Sequence, residues 1–513
     1  MSKNLLRATT TVSSMTFLSR ILGFIRDVLV AQLFGTSAAV DAFYIAFKIP
    51  NFMRNLFAEG CFSQAFVPVL AEYRKTRSLS ETKNFIQHIS GNLALFLFLL
   101  SLIGILTAPL IVHLFAPGYI KDPWRYYCAT SMLRITFPYI FFISLTALAS
   151  AILNSFKFFA APAFTPALLN IVFILTAIFL SPHLLVPVMS QAWGVLIAGL
   201  VQLSFLIFYL WKKKLLVLPR ISFKDAGVNR VLKLMLPALF GASIGQISLL
   251  INTIFASFLV VGSVSWLYYS ERLVFFPLGV FGVALATVVL PHLSAKHATQ
   301  SKDDYSKAMD WGLRCNLIIA LPAMIYLWVL ALPLVISLFG YGHFTLSDAS
   351  MTAKSVCAYG LGLPAFMLVK TLSAGFYAQQ DTRTPVKIGV ISIVVTIILN
   401  AVLVFPLAHV GLALASCLGS WLNAFLLLMQ LRKKNIYHFS SVWKKFILQM
   451  GLANGFLAFL LYYLSGTQHA WFFHHAVWRL SQLGLLLGLG GLLYFLILWF
   501  LGLKISDYRI MSD

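Results

Sequence analysis

The sequence predicts an all-α polytopic membrane protein with about fourteen transmembrane helices, arranged as two six-helix lobes in parallel pseudo-repeat plus two C-terminal helices. Of its 513 residues, 60% are hydrophobic and only 10% are charged, whereas soluble globular proteins carry about 25% charged residues. Apolar stretches of about 20 residues, the length that crosses a bilayer, recur along the whole chain. Basic runs and prolines recur at matching positions in its two halves. The composition excludes a soluble globular protein, and the recurrence predicts the two lobes.

The predicted spans form two series of six and a final pair. The first series lies near 12–34, 41–70, 91–115, 128–153, 163–181 and 191–211. The second lies near 231–259, 265–293, 312–338, 355–378, 386–407 and 409–431, and the final pair lies near 446–465 and 479–503. The second and eighth stretches are long enough to project from the bilayer or to tilt within it.

The distribution of lysine and arginine predicts the orientation. With both termini in the cytoplasm, the inside segments hold 27 of the 38 cations, and the outside connections hold 4. Cytoplasmic loops of membrane proteins carry such an excess, and flipping the chain or removing one span would destroy the alternation. The net charge of +23 therefore indicates topology rather than a nucleic-acid partner.

An internal repeat predicts the lobes. The basic runs Lys212–Lys214 and Arg432–Lys434 each close a series of six spans, and Thr165-Pro166 matches Thr384-Pro385 at an offset of 219 residues. We therefore expect an N-lobe at 1–215, a C-lobe at 216–435 and a helix pair at 436–513. Because six is even, the two lobes have parallel topology, and transporters of this kind bind substrate between lobes and alternate access.

Two prolines set the register of the second and eighth spans. Pro68 matches Pro291 at an offset of 223 residues, which places Lys48 opposite Glu271 and Ile49 opposite Arg272. On this register we expect Arg272 to face the charges of the N-lobe across a cavity. The simpler alternative is an ion pair between Glu271 and Arg272, although adjacent helical residues lie about 100° apart and do not naturally face each other.

Seven cations fall within the predicted spans, where a charge is costly unless it faces a cavity or a partner. They are Arg20, Arg26, Lys48, Arg54, Arg134, Arg272 and Lys370. The alternative is that the side chain snorkels from a helix end to the membrane surface. This interpretation is strongest for Arg134 and Lys370. The four cations of the first two spans outnumber the nearby carboxylates Asp27, Asp41 and Glu59, so the local charge is positive.

Helical geometry alone does not bring these charges together. Arg20 and Asp27 are seven residues apart and share one face of the first span, whereas Arg26 lies about 120° away. A break near Gly23, or near Pro50 in the second span, would turn the charged sets toward one cavity.

Several long strings closely resemble the MurJ/MviN family of lipid II flippases, within the multidrug/oligosaccharidyl-lipid/polysaccharide exporter superfamily. They are SSMTFLSRILGFIRDVLVAQLFG (13–35), DAFYIAFKIPNFMRNLFAEGCFSQAFVPVLAEY (41–73), LRITFPYI (133–140), GSVSWLYYSERLVFFPLGVFGVALATVVLPHLS (262–294) and GFYAQQDTRTPVKI (375–388). The resemblance covers essentially the whole chain, including the last two spans.

The resemblance implies a transporter of the bacterial inner membrane, not an enzyme. Its substrate would be lipid II, undecaprenyl-pyrophosphoryl-MurNAc-pentapeptide-GlcNAc, moved from the cytoplasmic to the periplasmic leaflet by alternating access for peptidoglycan synthesis and cell shape. The implied partners are lipid II, membrane lipids and other cell-wall synthesis proteins, with no nucleic acid and no cofactor. The resemblance also implies that the functional unit is a monomer.

The family's substrate-binding positions carry over onto residues of this chain. The arginines of the first, second and eighth spans, with accompanying polar residues, fall on Arg20, Arg26, Arg54, Arg272, Asp41, Lys48, Asn51 and Ser265, and the repeat register adds Glu271. Guanidinium groups suit a pyrophosphate because they stay charged and donate hydrogen bonds in a planar fork. Some relatives have an acid where this chain has Phe275, and where some use acidic or amide groups for sodium it offers only Asn252 and Asn400.

Other functions stay open at the level of sequence. Asp303-Asp304 is typical of a metal-dependent transferase only when a second acidic motif is present, and a solvated loop face explains the pair better. The five cysteines have no pairing or CxxC pattern, and the histidines lack metal-ligand spacing. A cation antiporter would line its cavity with carboxylates, but export of a different lipid-linked sugar also requires recognition of a pyrophosphate.

Overall fold

The structure of the protein, a computed structural model, describes residues 3–54, 62–298 and 301–503. In these ranges all regular structure is helical. The first ten α-helices are α1 Lys3–Phe34, α2 Ala38–Arg54, α3 Phe62–Thr76, α4 Leu79–Leu106, α5 Ala108–Phe115, α6 Pro123–Thr136, α7 Tyr139–Ser155, α8 Ala160–Leu175, α9 Met189–Lys212 and α10 Ala226–Ser257. The others are α11 Ser263–Pro277, α12 Val283–Ala298, α13 Lys302–Val329, α14 Ala331–Phe339, α15 Leu346–Gly360, α16 Leu363–Tyr377, α17 Arg383–Lys433, α18 Val442–Ser465 and α19 Ala476–Phe500.

The helices confirm the predicted polytopic fold. Within the described ranges, ten helical segments are long and apolar enough to cross a membrane. One of these, α17, contains two predicted spans, separated by the non-helical residue Ala408 (φ 48°, ψ −129°). The first, second and seventh predicted spans lie on α1, on α2 with α3, and on α10. Each of the fourteen predicted spans therefore has helical structure where it is described.

Helix interruptions repeat along the chain. The third predicted span is interrupted at Thr107 (φ −92°, ψ 9°) and the ninth at Leu330 (φ −99°, ψ 21°), which are 223 residues apart. The fourth and tenth spans are likewise interrupted, between α6 and α7 and between α15 and α16. The spacing matches the register of Pro68 and Pro291, so interruptions that the sequence did not predict support the pseudo-repeat.

The chain divides between Val264 and Ser265 into two compact units. In the first unit, an apolar core joins α3, α4, α7, α9 and α10 through buried side chains such as Phe66, Phe85 and Leu206. Helix α10 therefore belongs to the first compact unit, although it carries the seventh predicted span. The proposed lobe boundaries at 215 and 435 stay a prediction.

The second unit includes the C-terminal helices. Its core joins α12, α13, α16 and α17 through residues such as Leu293, Met309 and Phe376. Asp310 of α13 accepts hydrogen bonds from Tyr437 Oη (2.9 Å) and from the indole of Trp443. These bonds hold the segment after α17 and the start of α18 against α13.

Candidate functional site

The guanidinium of Arg26 is buried and bound by groups of two helices. Arg26 is 6% exposed, and its Nη2 and Nε donate to Asp27 Oδ1 at 2.7 and 3.0 Å. Its Nη1 donates to Asn170 Oδ1 of α8 at 3.1 Å, and its Cζ lies 5.2 Å from the ring centroid of Phe173. The charge is therefore neutralised by Asp27 and covered by α8.

Close packing of α1 on α8 makes this cluster possible. Asn170 Nδ2 donates to the carbonyl oxygen of Ser19 at 3.0 Å, one turn before Gly23. A Cβ atom at Gly23 would already lie 3.4 Å from Asn170 Nδ2. Helix α1 runs without interruption through Gly23, so the break considered from sequence is absent there, and Arg26 reaches its partners from a continuous helix.

Arg20, in contrast, is exposed. Within the described ranges it has no hydrogen bond or ion pair. The two arginines of the first span therefore differ in their surroundings: Arg26 is buried and neutralised, whereas Arg20 is exposed.

Helix α2 carries a second polar set. Asp41 is fully buried and accepts a hydrogen bond from the backbone N–H of Gly262 at 2.7 Å. Toward the end of the helix, Arg54 Nε donates to Asn51 Oδ1 at 3.0 Å, and Lys48 is half-buried. The helix continues through Pro50 to Arg54, so the second break considered from sequence is also absent.

Phe173 links the two polar sets of the first unit. Its ring centroid lies 5.7 Å from that of Phe47 and 6.2 Å from that of Phe43, both on α2. The same ring lies beside Arg26. Helices α1, α2 and α8 therefore meet around Phe173. Glu59, the third carboxylate of this region in the sequence, lies outside the described residues.

In the second unit, Glu271 and Arg272 point to different partners. Glu271 accepts a hydrogen bond from Tyr359 Oη at 3.1 Å. Arg272 is exposed, and its Nη2 and Nε lie 2.9 and 3.3 Å from Tyr268 Oη on the same helix. Among the described residues these two charges form no ion pair with each other, so the simpler alternative considered from sequence is wrong. Ser265, near the start of α11, is fully buried.

Sequence reasoning missed the partners that set the state of these charges. Asn170, Phe173, Tyr268 and Tyr359 were not among the predicted site residues. Of these four residues, only Asn170 could have been predicted from the sequence, because a lone amide in an apolar span usually forms a hydrogen bond to another helix. The tyrosines and the phenylalanine resemble ordinary apolar-span residues until their neighbours are known.

Asp303-Asp304, the pair weighed as a transferase motif, lies at the start of α13. Asp304 accepts a hydrogen bond from Ser301 Oγ at 2.8 Å, and its Oδ1 lies 3.6 Å from Lys307 Nζ. The Ser301 hydrogen bond is the main cause of the lowered pKa of Asp304. These contacts are those of a helix N-terminus on a charged surface.

The apolar helices define a multi-pass membrane protein. An inward-facing multidrug resistance MATE family transporter of the MOP superfamily is similar in fold, with a TM-score of 0.65 at 13% sequence identity, covering 83% of this chain and 98% of that chain. The solved structure of a lipid II flippase MurJ in an inward closed conformation has a TM-score of 0.80 at 29% identity, covering 95% of this chain and 97% of that chain.

The family is defined more narrowly by sequence. The family model described as "Lipid II flippase MurJ" matches residues 30–482. The chain is 43% identical to the lipid II flippase MurJ of Burkholderia cenocepacia, over 99% of each chain. It is also 43% identical to the probable lipid II flippase MurJ of Vibrio cholerae, over 100% of this chain and 99% of the relative. The chain belongs to the lipid II flippase MurJ family.

Proposed function

We propose that the protein moves lipid II from the cytoplasmic to the periplasmic leaflet of the bacterial inner membrane by alternating access, and so supplies peptidoglycan synthesis. The observation that carries this proposal is the 43% identity, over 99% of each chain, to the lipid II flippase MurJ of Burkholderia cenocepacia. The net excess of positive charge in the spans supports it, because a lipid-linked pyrophosphate brings about two negative charges into a low-dielectric region.

The pyrophosphate ligands are the second part of the proposal. Arg20, Arg54 and Arg272 supply guanidinium groups, and Lys48 adds a point charge. Arg20 and Arg272 support this role because both are exposed. Bidentate hydrogen bonds from arginine to phosphate oxygens are strong and directional.

Arg26 stays in the proposed set under one condition. It is 6% exposed and already donates to Asp27 and Asn170, so the packing of α8 over the guanidinium must open before a phosphate oxygen can reach it. Asp41, Asn51, Ser265 and Glu271 complete the set as polar groups that hold the helices or orient the arginines. Two hydrogen bonds are consistent with this role: Asp41 accepts from the N–H of Gly262, and Glu271 accepts from Tyr359 Oη.

Replacement of an essential lipid II flippase by this gene tests the proposed function. Growth should be restored, and lipid II should become accessible at the periplasmic face of the inner membrane. Restored growth with unchanged lipid II accessibility would contradict the proposal. If the gene restores the export of a different lipid-linked sugar but not of lipid II, the result would favour the other exporter function.

The proposed topology places both termini and the segment 212–233 in the cytoplasm, on the basis of the 27 inside cations. Asn229 is exposed, so an Asn229→Cys variant in a background without the five native cysteines offers an accessible thiol. A Ser347→Cys variant, on a predicted outside connection, is the matched control. We expect a membrane-impermeant thiol reagent added to intact spheroplasts to label the control alone, and labelling of Asn229→Cys would overturn the topology.

A further inference from the structure

The segment 213–225 between α9 and α10, called the linker below, has apolar side chains on both of its sides. Leu215 and Val217 pack on the apolar core of the first unit. The side chains of Leu216, Leu218, Ile221 and Phe223 point outward and are 42%, 80%, 57% and 72% exposed. An outward row of large apolar side chains is unfavourable in water, so this surface requires an apolar or interfacial environment.

The linker is held firmly against α4. The amide of Asn92 bonds twice to the backbone of Ser222: Nδ2 donates to the carbonyl oxygen at 2.6 Å, and Oδ1 accepts from the N–H at 2.9 Å. The N–H of Arg220 donates to the carbonyl oxygen of Gln87 at 3.0 Å. A Cβ atom at Gly91 would lie 2.2 Å from the carbonyl oxygen of Arg220, so only glycine permits this approach.

A second attachment lies at the end of the linker. Asp225 accepts hydrogen bonds from the N–H groups of Gly227 and Val228 at the start of α10. Its Oδ2 also lies 2.7 Å from His88 Nδ1 of α4. The outward apolar row is therefore fixed by hydrogen bonds in the second half of the linker and by the packing of Leu215 and Val217 on the core in the first half.

The linker region carries mostly positive charge. From 212 to 225 the sequence has five cations and one carboxylate, Asp225, which is bound to His88 and to the start of α10. All five cations are exposed: Lys212, Lys213, Lys214, Arg220 and Lys224. The attachment at Gln87, Gly91 and Asn92 lies where the third predicted span begins, at the expected level of the cytoplasmic headgroups. Apolar side chains flanked by cations are typical of segments that lie in the interface of an anionic membrane.

We propose that the linker is a binding surface for anionic phospholipids of the cytoplasmic leaflet. Its outward apolar row enters the headgroup–acyl boundary, and its cations contact lipid phosphates. The proposal rests on the proposed topology but not on the transported substrate, so a failure of the flippase function leaves its test unaffected.

Lipid binding by the purified full-length protein tests the proposal. Phosphatidylglycerol and phosphatidylcholine are titrated separately and followed by native mass spectrometry. The test variant is Lys212→Gln/Arg220→Gln/Lys224→Gln, and the matched control is Lys433→Gln/Lys444→Gln/Lys445→Gln, which removes three exposed cations elsewhere. Each cation near an anionic surface contributes roughly a fivefold factor to binding. We therefore expect phosphatidylglycerol affinity to fall at least about tenfold in the test variant only, with phosphatidylcholine unaffected.

Hydrogen–deuterium exchange of the wild-type protein gives a second measurement that needs no variant. Backbone amides of 215–224 should exchange more slowly in nanodiscs that contain phosphatidylglycerol than in nanodiscs of phosphatidylcholine alone. Equal exchange in the two membranes would overturn the proposal, as would equal loss of affinity in the two triple variants. Protection that requires added lipid II would show that the surface takes the substrate, and would also overturn it.

Discussion

Arginines occur within apolar helices in both units, but their surroundings differ. In α1, Arg26 is 6% exposed and is bound to Asp27 and Asn170. In α11, Arg272 is exposed and contacts the hydroxyl of Tyr268. The first arrangement neutralises the charge within the protein, whereas the second leaves the guanidinium exposed at the surface of its unit. Intramembrane arginines of this chain therefore differ in burial, and a buried, ion-paired guanidinium is less accessible to an external anion than an exposed one.

The largest expected effect is at Asp27, and it concerns folding. Asp27→Asn leaves the buried charge of Arg26 without its carboxylate, which typically costs about 3–5 kcal/mol. We expect a large fall in thermal stability and in the amount of protein in the membrane. Arg20→Ala, which removes an exposed charge seven residues earlier, is the control and should change stability little.

A double variant sharpens this comparison. Arg26→Met/Asp27→Leu removes both charges together, and replacement of a buried ion pair by apolar residues is often neutral. If the pair is structural, the double variant should recover the stability that Asp27→Asn loses. Full recovery of lipid II transport as well would remove Arg26 from the proposed pyrophosphate ligands.

The next effect is at Arg272, and it concerns transport. Arg272→Ala should leave stability near that of the wild type, because the residue is exposed, but should reduce lipid II transport at least about a hundredfold, as expected for loss of charged hydrogen bonds. Arg272→Lys keeps the charge without the planar fork and should retain part of the activity. Tyr268→Phe removes only the hydroxyl contact and serves as the control. Wild-type transport by Arg272→Ala would show that its exposed charge has no substrate role.

A smaller effect is expected where the linker crosses α4. Gly91→Ala places a methyl group within 2.2 Å of the carbonyl oxygen of Arg220, and such overpacking typically costs about 1–3 kcal/mol. Amide exchange of 215–224 should become faster. Gly451→Ala and Gly455→Ala, on α18 with open space around them, are the matched controls and should be neutral or slightly stabilising. Unchanged linker exchange in Gly91→Ala would contradict the described docking.

The smallest effect is a pH dependence at the same docking site. Burial opposes ionisation of Asp225, but the hydrogen bonds from His88 and from the N–H groups of Val228 and Gly227 outweigh burial and lower its pKa. A carboxyl group with a lowered pKa stabilises the fold above its unfolded pKa of about 4, and this contribution is lost as pH falls through the folded value.

Asp225→Asn keeps an N-cap residue while it removes the charge. The difference in melting temperature between wild type and this variant should therefore be present at pH 7 and should shrink toward pH 3. A difference that stays constant over this range would show that the ionisation of Asp225 does not stabilise the docking.

Much of the fold follows from hydrophobicity alone. The sequence predicts a boundary between two spans at 407–409, and the structure has a non-helical residue there, Ala408. Such a boundary can be predicted because the length of the apolar stretch and the composition of the turn mark it. The breaks at Thr107 and Leu330 were not predicted, since the apolar stretches continue across both positions. Helix interruption there depends on local backbone geometry that hydrophobicity does not report.

The site was predictable only as a set of charges. The divergence of Glu271 from Arg272 follows from the angle between adjacent helical residues. The contact of Arg26 with Asp27 does not follow from that angle, because the long arginine side chain reaches the carboxylate of the next residue. Asn170 is 144 residues away from Arg26 in sequence, so its contribution required the packing of α1 on α8.

The proposed function assigns the pyrophosphate of lipid II to arginines of the apolar spans, and an affinity comparison tests that proposal most directly. Binding of lipid II and of undecaprenyl monophosphate is measured for the purified wild type and for Arg54→Ala/Arg272→Ala. We predict that the wild type binds lipid II at least about tenfold more tightly, and that the double variant loses most of this preference because it lacks two guanidinium groups. An equal preference in the wild type and the folded double variant would contradict the account.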